Sequence, residues 1–70
     1  MTKMKLARVL RGLTQFKVAM ATGIQQYRIS MLERGVAKPT DEERQKLSEY
    51  FGIPPDELQS EVTEYAGVEG

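Results

Sequence analysis

From Gln25 to Lys38 the chain sets out Gln25, Gln26, Tyr27, Arg28, Ser30, Met31, Arg34 and Lys38, a run of amides, hydroxyls, cations and one thioether. Groups of these types recognise rather than transform. A glutamine amide pairs two-pronged with adenine, tyrosine and serine hydroxyls bond a base or a phosphate, and methionine packs on a thymine methyl. Arginine and lysine hold phosphates with little regard to sequence. The chain has no histidine and no cysteine. It has no glycine loop that would cradle a phosphate. Its acids follow helix caps and exposed faces instead of converging on a pocket. No enzyme, metal site or cofactor is expected.

Whether those side chains share a face depends on the element that carries them. At about 100° per residue, Ile29 and Leu32 point one way, toward a core. Tyr27, Ser30, Met31 and Arg34 point the other way, with Gln26 and Arg28 on the flanks. The segment from Gln26 to Arg34 is therefore expected as helix three, stopping at Gly35. Before it, Thr14 is a good N-cap for helix two, Gln15 to Thr22, which Gly23 ends and Ile24 plugs. Ala19 lies four residues before Gly23 and Ile29 six after it. That spacing suits a helix-turn-helix over about residues 15–34, whose first helix must be small where the second crosses it.

Helix one is expected from Thr2 to Arg11, with Gly12 as its stop. Val36 to Pro39 form a loop. Thr40 and Glu43 make a capping box for helix four, which runs to about Phe51. Pro54-Pro55-Asp56-Glu57 reads as the start of a fifth helix reaching about Thr63. Residues 64–70 read as a flexible polar tail. With no strand-like alternation, the fold expected is all-α: a compact five-helix bundle over residues 1–63.

The net charge of zero conceals a polarity. Residues 1–38 carry eight cations against Glu33 alone, a net +7, and residues 39–70 carry nine acids against Arg44 and Lys46, a net −7. A polyanion is attracted by the first half and repelled by the second, which orients an encounter. The pI of about 6.2 argues against strong nonspecific DNA affinity in a monomer. Seventy residues make one small domain, which buries only about 60–65% of its unfolded surface. No stretch approaches the roughly 20 apolar residues of a membrane span. Lys3, Lys5, Arg8 and Arg11 interrupt any signal-peptide core, and the absence of cysteine fits a reducing cytoplasm.

The pattern Leu13-Thr14-Gln15, Val18-Ala19, Gly23-Ile24, Ile29, Leu32-Glu33, Gly35, then Pro39-Thr40, Leu47, Phe51-Gly52-Ile53 and Leu58 resembles the Xre/Cro-like helix-turn-helix regulators, which include the lambdoid phage repressors. The similarity covers roughly residues 4–60. It implies a lambda repressor-like domain whose third helix enters the major groove. Among base-reading positions it places Gln26, Tyr27 and Met31, to which spacing adds Ser30. It places Gln25 near the DNA backbone and makes Gln15, at the start of helix two, a phosphate clamp. Arg28, Arg34 and Lys38 are further backbone candidates, and the exposed Lys5 and Lys17 weaker ones. Arg8 and Glu33 match an ion pair linking helix one to helix three. The chain departs from the family at Thr22, where an aliphatic residue is common, at Asp41 and Arg44, often apolar, and at Phe16 and Met20, usually polar.

Two assignments stay open on sequence. Helical spacing groups Leu6, Val9, Leu10 and Leu13 on one side of helix one, whereas the family register buries Met4, Ala7 and Arg8. Phe16 and Met20 are either core or a patch for a protein partner. The partner expected is double-stranded DNA. A single module contacts few base pairs, so a homodimer on a two-fold site is expected, with half-sites about one helical turn apart. The rival reading is an antitoxin-like or adaptor module that uses Phe16, Met20 and the acidic half as its contact surface.

Overall fold

The computed structural model describes residues 1–62. Three of the four helices begin at a threonine whose hydroxyl satisfies an amide that has no partner within the helix. The Thr2 hydroxyl accepts from the Lys5 N–H and opens α1, Lys3–Leu10. The Thr14 hydroxyl accepts from the Lys17 N–H and opens α2, Gln15–Thr22. Gly23 ends α2 in the left-handed region at φ 77°, which glycine enters without the steric cost of a Cβ. α3 spans Gln26–Glu33. The reciprocal Thr40–Glu43 capping box opens α4, Asp41–Phe51, with three acids in its first turn where the helix dipole favours negative charge.

The side chains of Met4, Val18, Ile24, Ile29, Leu32, Leu47, Phe51, Ile53 and Leu58 form one core, with Ala7, Leu13, Ala19, Ala37 and Tyr50 packed around it. α2 lies against α3, and α4 supports both α1 and α2. Thr22 shows how a polar residue fits at the end of α2. Its hydroxyl donates to the Val18 carbonyl at 2.8 Å and accepts from the Ile24 N–H at 3.3 Å, so it is buried but satisfied.

Helix one takes the family register. Met4 is buried, while Val9 and Leu10 are 49% and 59% exposed. Leu6 and Leu13 are half-buried, Leu13 against the core. Hydrophobic spacing therefore groups four residues that the fold divides between core and surface. The dividing constraint is polar: Arg8 must face inward to reach its partner on α3.

Four helices and a short turn replace the expected five helices. Pro55–Glu57 is a single 3₁₀ turn, not the start of a longer helix. Leu58 and Gln59 continue as a turn, and the chain then passes beside the N-terminus. Ser60 and Leu58 carbonyls accept from the Lys3 and Met4 N–H groups at 2.8 and 3.0 Å, and the Val62 N–H donates to the Met1 carbonyl at 2.8 Å. Thr2 and Glu61 form an isolated antiparallel bridge, and no strand occurs among the described residues. The first-turn amides of α1 need acceptors, and the Leu58 and Ser60 carbonyls supply them where a continuing fifth helix would not. Thr63, the expected end of that helix, and the expected tail at 64–70 lie outside the described residues. Among the described residues no helix is long and apolar enough to cross a membrane.

A buried carboxylate fastens three helices together. Glu33, 3% exposed at the end of α3, accepts from Arg8 Nε and Nη2 of α1 and from Gln15 Nε2 of α2. Arg8 Nη1 also donates to the Leu13 carbonyl at 2.9 Å. The Glu33 backbone carbonyl accepts from the Thr2 hydroxyl at 2.8 Å. Removing either charged partner leaves the other charge buried and uncompensated. Arg8→Ala and Glu33→Ala are each expected to lower the unfolding free energy by about 3–5 kcal/mol. Urea melts that match those of the parent would exclude this fastening role.

Candidate nucleic-acid interface

α3 carries the face on which the site is built. Ile29 and Leu32 are fully buried. Gln25 and Gln26 are exposed and Tyr27 is 60% exposed, while Ser30 and Met31 are half-buried on the same helix. The amides of α3's first turn are not taken up by a side-chain cap. Amide, phenol, hydroxyl and thioether thus share one short helix whose opposite side is locked into the core. Rigid backing of this kind holds side chains at fixed positions for recognition.

Gln15 approaches from the start of α2, half-buried, with its amide nitrogen 3.0 Å from Glu33 Oε1. An amide nitrogen has two donor hydrogens, and Glu33 uses one of them. Arg34 is exposed just beyond α3, its Nε in a long 3.4 Å contact with the Ser30 carbonyl. Lys38 is exposed in the α3–α4 loop. Lys17 is exposed on α2 as expected, whereas Lys5, expected to be exposed, is half-buried on α1.

Arg28 differs from the other cations. Its guanidinium donates to both carboxylate oxygens of Glu43 on α4, Nε at 3.0 Å and Nη2 at 2.7 Å, and Nη2 also donates to the Lys38 carbonyl at 3.2 Å. In the sequence Glu43 is marked only by the capping box, and no spacing signal pairs residues 28 and 43. Gln59 is a second residue that no sequence signal marks. Its amide donates to the Leu32 and Ala37 carbonyls at 3.1 and 2.7 Å, tying the end of α3 and the following loop to the C-terminal segment.

Phe16 and Met20 are surface residues, 58% and 70% exposed on α2. With Ala19, Gly23, Ile24, Gln25 and Gln26 they line a shallow apolar groove beside the start of α3. The core alternative for these two side chains is excluded.

The Arg28 hydrogen bonds hold the Glu43 carboxyl below its ordinary range, with the Thr40 N–H adding to the effect, and Glu43 in turn raises Arg28. A carboxylate depressed in the folded state contributes stability that is fully present above its unfolded value of about 4.3 and is lost as pH falls through the lower folded value. The stability gap between the parent and Glu43→Gln is therefore expected to be constant near neutrality and to shrink below about pH 4.3. Denaturant titrations from neutral to acid pH check this; a gap that widens on acidification would reverse the sign.

The comparisons with known proteins agree with this geometry. A family model described as helix-turn-helix matches residues 4–58. No curated protein and no solved structure is significantly similar to the chain. The match spans α1 to the turn after α4 and includes every side chain of the face just described, and the chain belongs to the Xre/Cro-like helix-turn-helix family of DNA-binding domains.

Proposed function

We propose that the protein is a sequence-specific binder of double-stranded DNA, a small cytoplasmic transcriptional regulator that reads the major groove with α3. The observation that carries this reading is the division of α3, with Ile29 and Leu32 buried while Gln26 and Tyr27 stand in solvent. Gln26, Tyr27, Ser30 and Met31 meet base edges. Gln15, Gln25, Arg34 and Lys38 meet the sugar–phosphate backbone, and Arg28 lies beside them in its pairing with Glu43. The net +7 of residues 1–38 steers these groups toward the duplex. The functional domain spans residues 1–63. Two copies act as a homodimer on a two-fold site, since one α3 spans too few base pairs for useful discrimination.

A second reading rests on the exposed Phe16–Met20 groove, namely an antitoxin-like or adaptor role in which a protein partner covers it. The two roles are compatible on one scaffold. Binding of a protein partner that is insensitive to salt and survives charge reversal at Arg28 and Lys38 would favour the second.

Selection of bound oligonucleotides from a random pool tests the first reading and is expected to return a symmetric motif. On that motif, Gln26→Ala should cost about 1–3 kcal/mol and relax the preference at one position per half-site. Lys38→Ala should weaken all sequences alike and reduce the log–log salt slope by about one. Indifference to duplexes of every sequence at low ionic strength would refute DNA binding.

A further inference from the structure

Lys38 sits in a loop whose neighbours are tied down on every side. The Val36 N–H donates to the Met31 carbonyl at 3.1 Å, the Ala37 carbonyl is held by Gln59, and Thr40 is held by the α4 capping box. The Lys38 carbonyl is held by the Arg28 guanidinium, at 3.2 Å. Arg28 reaches that carbonyl from a fixed position because Glu43 grips it with both oxygens. Glu43 Oε1 also accepts from the Thr40 N–H at 3.0 Å, so a single carboxylate joins the α4 cap, the α3 arginine and, through it, the Lys38 backbone. A two-pronged arginine–carboxylate pair fixes the fork in orientation as well as in place. With side-chain exposures of 23% and 16%, this pair is shielded from solvent more than the other α4 pairs, Arg44–Asp41 and Lys46–Glu42.

We infer that Glu43 is a positioning residue for DNA binding, which acts through Arg28 to present Lys38 beside the exposed face of α3. The inference rests on the DNA-binding reading and deepens it. It also reassigns Arg28, whose guanidinium is a fastener for the loop and not a phosphate contact in its own right.

The sign of one substitution separates this role from simple electrostatics. Glu43→Gln removes a negative charge close to a bound polyanion, which by Coulomb attraction alone tightens binding. If Glu43 positions Lys38, the same change weakens binding to the selected duplex, by about tenfold, which is mid-range for residues coupled by contact. The salt slope discriminates further. Losing the ordered Lys38 lowers the slope by about 0.9, whereas releasing Arg28 onto a phosphate raises it by about 0.9.

The experiment measures binding of the selected duplex across a salt series, at a temperature where circular dichroism shows every protein folded. The proteins are the parent, Glu43→Gln, Glu42→Gln, Lys38→Ala and the Glu43→Gln/Lys38→Ala double variant. The expected result has Glu43→Gln weaker with a reduced slope, and Glu42→Gln unchanged or tighter. Lys38→Ala should then add little in the Glu43→Gln background, a non-additivity that general destabilisation would not produce. Arg28→Lys, which keeps the charge but loses the fork, should weaken binding as Glu43→Gln does and serves as the test if Glu43→Gln fails to fold. Tighter binding by Glu43→Gln, a steeper slope, or full additivity with Lys38→Ala would overturn the inference while leaving DNA binding intact. A parent protein that binds no duplex would instead overturn the function itself.

Discussion

The Glu33 carboxylate is the constraint on which the rest of the structure depends. A buried charge is unfavourable unless its partners are close and its lone pairs are satisfied. Here both oxygens are engaged by Arg8 and Gln15, and Thr2 takes the backbone carbonyl of the same residue. These partners come from the N-cap and last turn of α1 and from the first residue of α2, so satisfying Glu33 sets the seating of both helices against α3. The face of α1 turned to the core follows directly. Arg8 points inward with Met4 and Ala7, and Val9 and Leu10 are left in solvent.

The fold divides its polar fasteners by position. The Glu33 cluster holds the inner end of α3, and the Arg28–Glu43 pair ties its N-terminal half to α4 and the intervening loop. Between these ends Ile29 and Leu32 lock the helix by burial. α3 is thus held at both ends by charge and in the middle by apolar packing. Its remaining side is free of structural duty, which is the arrangement a reading surface requires.

Local features were the most legible in the sequence. Thr14, Gly23, Thr40 and Glu43 act within a few residues of themselves, so the limits of α2 and the start of α4 follow from local chemistry alone. The division of α3 was equally plain, because Ile29 and Leu32 repeat at helical spacing. Whatever depended on distant partners was not legible. Periodicity grouped Val9 and Leu10 with the inner residues of α1, because four aliphatics outweigh one arginine in any apolar pattern. Only the family resemblance marked Arg8 with Glu33. The fifth helix had sound local signals in Pro55, Asp56 and Glu57. It stops after one turn because Leu58 and Ser60 supply carbonyls to an N-terminus more than fifty residues away in the chain. Arg28–Glu43 and the Gln59 bridges were silent for the same reason, since no short-range pattern records a contact across fifteen or more positions.

α1, α2 and α3 are each eight residues long, and in water isolated helices shorter than about 12–15 residues are marginal. None of the three therefore exists as a helix apart from the others. A synthetic peptide copying α3 would be a coil with the right letters in the wrong places. The proposed DNA-contacting face of α3 comes into being only when the whole assembly closes, so on that proposal affinity for DNA and resistance to unfolding are thermodynamically one linked quantity.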